Sequence, residues 1–184
     1  MKLQRSPRKG LCLVTSFAMA LDLPVEVLMS FLGKGHEVVA FPGVPAPYCY
    51  RGYHIQEMIL FAVARDFAVT PIELFPRVDP PTALHPNTRK PYERAVVFYG
   101  ASEEANRDIF NQTILTCRGV LEGVLAPLPS KLLQRGHAVA FEKGVIFDPD
   151  NDAFMYSVRE CEARHFYANV AWRIDRMETL YAIQ

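Results

Sequence analysis

No excess of either charge marks this 184-residue chain: Lys+Arg and Asp+Glu both number 20. A balanced surface makes no global field to draw in nucleic acid or an anionic membrane, so neither is expected as a partner. Long apolar runs are missing too, and none reaches the roughly twenty residues that a membrane-spanning helix needs. Cysteine is sparse. Cys12, Cys49, Cys117 and Cys161 are too scattered for a disulfide framework, and no CxxC pair offers a zinc site. Four such thiols suit a reducing compartment, and the expected location is the cytoplasm. No phosphate-cradling glycine loop and no GxSxG nucleophile turn occurs.

What is there is ordinary globular material. Half of the residues are hydrophobic and 22% are charged, enough apolar surface for one sizeable core, and residues 1–184 read as a single domain. Lys2 to Lys9 followed by Leu11 to Leu21 and Ala18-Met19-Ala20 has the outline of a secretory signal. Thr15 and Ser16 interrupt its apolar stretch, and the segment is expected to stay in the domain as a helix buried on most sides.

Asp22-Leu23-Pro24 breaks that helix and starts another, with Val25, Leu28, Met29 and Leu32 at helical spacing up to Gly33 and Gly35. Val38 to Tyr50 holds three prolines and reads as loop or sheet edge. A third helix is expected over about Ile55 to Phe67, an extended segment over Ala68 to Leu74, and a long proline-rich loop from Pro76 to Pro91. Ala95 to Tyr99 is weakly strand-like, and Ser102 with Glu103 and Glu104 opens a helix through about Leu115. Beyond it the pattern turns to strands: Gly119 to Leu125, a hairpin of His137–Phe141 and Val145–Phe147 about Lys143-Gly144, and Tyr167 to Ile174. Ser157-x-x-Glu160 has the form of a capping box for a short helix. The fold class is therefore α+β, N-terminal helices packed on a C-terminal antiparallel sheet.

Chemistry concentrates at two places. Cys12 leads the first helix, where the positive helix end and a neighbouring imidazolium can turn a weak thiol into a thiolate nucleophile. It equally suits a buried helix as a small apolar residue. His137 stands on the hairpin. With a two-residue turn, Glu142 faces Val145, His137 falls opposite Asp150, and Asp148 lies diagonally across on the same face. Either carboxylate can orient the imidazole, and the alternatives stay open here. A surface histidine beside a Pro-Asp-Asn turn is the plain reading of the same residues. Cys49-x₄-His54 with His36 and Glu37 has no fixed ligand spacing, so no metal and no cofactor is expected. Cys117 and Cys161 read as core thiols, and the sequence names no partner for His85 or His165.

Cys12-Leu-Val-Thr-Ser-Phe-Ala-Met-Ala-Leu, Arg51-Gly-Tyr-His-Ile-Gln-Glu57 and Gly136-His-Ala-Val-Ala-Phe141 with Phe147-Asp-Pro149 resemble papain-like cysteine peptidases. The nearest subgroup is that of the bacteriocin leader-processing (double-glycine) peptidases, together with small bacterial and phage proteins of that type. The resemblance implies a papain-like fold, Cys12 as nucleophile, His137 as general base and then acid, Asp148 as orienting group, and Gln4 in the oxyanion hole. It implies a cysteine hydrolase that cleaves a peptide or isopeptide bond in a peptide or protein substrate, in the host cytoplasm where phage-encoded. Glutamine deamidases and transglutaminases form the same acyl-enzyme, and a catalytically inactive binding module is a further alternative. Two positions depart from the family pattern: Leu13 replaces the usual glycine after the cysteine, and Gln4 lies eight rather than six residues before it.

Overall fold

Gly10 turns the chain into its first helix with φ of +86°, a conformation that a side chain would strain. The computed structural model describes residues 1–7, 10–32, 38–39, 49–50, 53–74, 103–125, 135–151 and 153–178. The Pro76–Pro91 loop, the Ala95–Tyr99 strand, the Ser102 cap and most of Val38 to Tyr50 lie outside the described residues. In chain order the described elements are α1 (Cys12–Ala20), α2 (Val25–Leu32), β1 (Val38–Val39), β2 (Cys49–Tyr50), α3 (Ile55–Val63), β3 (Phe67–Glu73) and α4 (Glu103–Thr116). Then follow β4 (Arg118–Leu125), β5 (Arg135–Glu142), β6 (Val145–Asp148), β7 (Ala153–Met155), α5 (Val158–Ala163) and β8 (Phe166–Arg176).

Six strands form one antiparallel sheet in the order β3-β8-β4-β5-β6-β7, with β1 and β2 as a separate short pair. The α+β class holds, with two additions that local pattern did not carry. The extended segment at β3 crosses from the helical half to become an edge strand against β8, and the edge position accommodates Pro71, which has no N–H to give. Helices also cover both faces. Val120, Ala138 and Ile174 pack with α1, Leu28 of α2, and Phe61 and Met58 of α3. Their sequence neighbours Leu121 and Val139 turn the other way, onto Phe110 and Ile114 of α4 and Cys161 of α5.

α1 is the central helix. Eight of its nine residues are buried, Phe17 and Val14 fully, so its all-round apolar sequence has a place on every side. Each such large side chain taken out of water contributes about 1.5–3 kcal/mol. Ser157 caps α5 by accepting from the Glu160 N–H at 3.2 Å, whereas the Glu160 carboxylate reaches past Ser157 to the Tyr156 N–H at 2.8 Å. Among the described residues no single helix is long and apolar enough to cross a membrane.

Candidate active site

Cys12 owes its position to two anchors. The Leu11 carbonyl accepts from the Thr15 N–H at 3.0 Å and from the Thr15 hydroxyl at 2.8 Å, which starts α1 at Cys12 and puts the thiol at the positive end of the helix. One turn on, the buried Ser16 hydroxyl donates to the Ala138 carbonyl at 3.1 Å. That bond docks α1 along β5. Stepping back one turn from Ser16, about 5.4 Å, sets Cys12 level with the first residues of β5, where His137 lies.

The hairpin fixes the other half. Lys143 and Gly144 both have positive φ, 46° and 85°, which is the two-residue turn whose twist matches its strands. The ladder pairs Glu142 with Val145, Phe141 with Ile146 and Ala140 with Phe147. His137 then shares a face with Phe141, Ile146 and Asp148. Its Nε2 meets Asp148 Oδ1 at 3.2 Å. Asp150 Oδ2 is on the other side of the ring, 3.9 Å from Nδ1. The hydrogen-bonded carboxylate is Asp148, and the alternative at Asp150 resolves into a different contact.

Asp148 is itself held by the turn that follows it. Its oxygens accept from the Asp150 N–H at 3.0 Å, the Asn151 N–H at 3.4 Å and the Asn151 side-chain amide at 2.6 Å. Burial alone would raise its pKa, but the bonds from His137 and Asn151 prevail and hold the carboxyl below its ordinary range. The Phe166 ring stands edge-on to the imidazole, 5.2 Å between centroids. His137 and Asp148 are only 3% and 5% exposed, so their pairing is desolvated.

The thiol joins this pair. Cys12 Sγ, an imidazole nitrogen of His137 and an Asp150 oxygen all lie within 4.8 Å of one another. With Nε2 engaged by Asp148, Nδ1 is the nitrogen left for the sulfur. Burial pulls the His137 pKa down, yet hydrogen bonds and charge from Asp148 and Cys12 outweigh it and raise the imidazole to about 9. Cys12 is 9% exposed, and the cluster meets solvent through Asp150. The arrangement supplies a sulfur at a helix start, a protonated imidazole beside it, and a fixed carboxylate behind the ring.

Gln4 goes elsewhere, and its expected place in an oxyanion hole is corrected. Its backbone N–H points at Met19 Sδ, 3.1 Å away, near the far end of α1 from Cys12. Its side-chain amide donates to the Leu23 carbonyl at 2.7 Å and accepts from the Val25 N–H at 2.9 Å. Gln4 therefore closes the α1–α2 corner and caps α2. Sequence pattern alone does not mark Ser16 or Phe166 as site residues; only Asn151, three residues after Asp148, carries a local signal, that of a side chain closing a turn. His54 opens α3, its N–H donating to the Glu57 carboxylate at 2.8 Å, while His36, Glu37 and the Cys49 side chain lie outside the described residues. Cys161 is buried in the α4–α5 core and Cys117 half-buried beside it, and neither is in a disulfide.

No protein-family model matches the chain, and no curated protein matches it at a significant level. The papain-like likeness thus rests on its motifs.

Proposed function

We propose that the chain is a thiol hydrolase acting on a peptide or isopeptide bond of a peptide or protein substrate in the cytoplasm. One observation carries the reading: the Cys12 sulfur lies within 4.8 Å of an imidazole whose far nitrogen is bonded to a buried carboxylate. The order thiol, imidazole, carboxylate is what nucleophilic catalysis requires, and the sequence resemblance to papain-like peptidases points the same way.

In this mechanism His137, held protonated by Asp148, keeps the Cys12 sulfur as thiolate. The sulfur attacks the substrate carbonyl carbon, and the tetrahedral oxyanion is met by first-turn N–H groups of α1, which have no acceptor within the helix. His137 gives its proton to the leaving amine, an acyl-enzyme remains, and the now neutral imidazole takes a proton from water as it attacks the thioester. Asp148 does not exchange protons; it fixes the ring so that Nδ1 serves the sulfur.

A second reading has its own support. Cys12 is largely covered, and Leu13 stands where the resembling family has glycine, both of which suit a binding module that has kept the fold without turnover. Release of a new peptide amine from a panel of peptide substrates, abolished by Cys12→Ala, is the expected result. Ammonia release from glutamine side chains, equally abolished, would assign deamidase or transglutaminase chemistry to the same residues. Peptide binding without either product would assign the binding module.

A further inference from the structure

Three types of metal ligand meet at the head of α1, and the hydrolase mechanism leaves one of them without a task. Asp150 does not bond the histidine nitrogen that Asp148 occupies, yet its carboxylate lies within 4.8 Å of both the Cys12 sulfur and a His137 nitrogen. Ligands of a tetrahedral zinc ion sit about 2.0–2.3 Å from the metal, hence roughly 3.3–3.8 Å from one another. His137 Nδ1 and Asp150 Oδ2, 3.9 Å apart, are already near that spacing, and exposed Asp150 has room to close the rest. A second, independent feature is the far side of the ring. Metal-bound histidines almost always give their other N–H to a carboxylate, which fixes the ring and strengthens the ligand. His137 Nε2 does so to Asp148, itself pinned by the Asn151 amide at 2.6 Å. Charge also balances, because a thiolate and a carboxylate with a neutral imidazole neutralise a divalent ion.

The geometry points to a reversible inhibitory site for a thiophilic divalent cation of the zinc class, with Cys12, His137 and Asp150 as ligands, Asp148 as positioning residue and water in the fourth place. Such a site is not legible in the sequence, because its ligands are too distant from one another to show a spacing. The ion takes the sulfur and the Nδ1 lone pair together, so nucleophile and base are both blocked, and the one proton they share is released to solvent. Hard, oxygen-seeking Mg²⁺ does not compete for a sulfur–nitrogen pair. That the bound ion inhibits rests on the hydrolase reading; that it binds does not.

The test uses the reduced full chain, stripped of metal. Titration with ZnCl2 in a calorimeter is expected to show one ion per chain and no response to MgCl2. CoCl2 is expected to raise a thiolate-to-cobalt absorption band that Cys12→Ser removes. Asp150→Ala is expected to weaken zinc at least about tenfold, and Asp148→Asn by about 10–100-fold. A cobalt band that survives Cys12→Ser, or zinc affinity indifferent to Asp150→Ala, would overturn the site. Iodoacetamide separates the two proposals: Cys12 that alkylates fast and is protected by zinc supports both. Fast alkylation with no protection overturns the metal site alone, and slow alkylation with tight zinc supports the metal site while removing the hydrolase.

Discussion

His137 Nε2 and Asp148 Oδ1 lie 3.2 Å apart, one on each strand of the β5–β6 hairpin, and both side chains are shielded from water. The pairing depends on the Lys143-Gly144 turn, since a register shift of one residue would carry Asp148 to the opposite face. It also sets the charge state of the imidazole, because desolvation on its own would favour the neutral ring.

Asp148→Asn keeps the shape of the carboxyl and removes its charge. The His137 pKa, raised to about 9 by Asp148 and Cys12 against burial, is expected to fall towards 6.5. The alkaline limb of kcat/KM then moves to lower pH, with a rate loss of about 10²-fold or more. A limb left in place would mean that another group holds the ring.

The same pair makes stability depend on pH in the metal-free protein. The folded pKa of His137 lies above its unfolded value, so its contribution is complete below about 6.5 and disappears as pH rises through about 9. Asp148 is shifted down, so its contribution is present above its ordinary pKa near 3.8 and is lost as pH falls through the lower folded value. Unfolding free energies from urea titration are therefore expected to be highest between these limits and to decline from neutral to alkaline pH, by on the order of 3 kcal/mol in all. In Asp148→Asn the alkaline decline is expected to shrink.

Gln4→Ala separates a corner clamp from an oxyanion donor. Loss of the bonds to Leu23 and Val25 is expected to cost about 1 kcal/mol, the size of a helix cap. For a chain of this length that lowers Tm by about 2–4 °C, with any turnover by the folded protein unchanged. A rate loss of about 10²–10³ at constant Tm would restore Gln4 to the oxyanion hole.

Gly123 pairs with His137 across the β4–β5 ladder, beside the irregularity where β4 meets β8. A Cβ there would stand 2.0 Å from the Tyr167 carbonyl oxygen, and backbone cannot step aside as a side-chain tip can. Gly123→Ala is expected to destabilise by about 3 kcal/mol or more, read as a lower midpoint in urea. An unfolding free energy within about 0.5 kcal/mol of the parent would show that the strands have slack at this point.

Local chemistry made much of this legible. Asp22-Leu23-Pro24 marked the α1–α2 break, Lys143-Gly144 the hairpin, and Ser157-x-x-Glu160 the start of α5, because each acts over a few residues. Contacts between distant segments were not legible. Nothing in Phe67–Glu73 announces β8 as its partner, and nothing in Gln4 tells which end of α1 it will meet. β7, three residues long, is too short to show alternation. At the site, alternation on the hairpin brought Asp148 and Asp150 into range of His137. Choosing between them needed the turn after Asp148, whose N–H groups bind that carboxylate in place and leave Asp150 beside Nδ1.

The account stands on an activated Cys12, and the most direct measurement is residue-resolved alkylation by iodoacetamide at pH 6 in chelating buffer, followed by mass spectrometry. Cys12 is expected to react far faster than Cys49, Cys117 and Cys161, and to lose that lead in His137→Ala. Slow, equal modification of all four thiols, unchanged by His137→Ala, would contradict it.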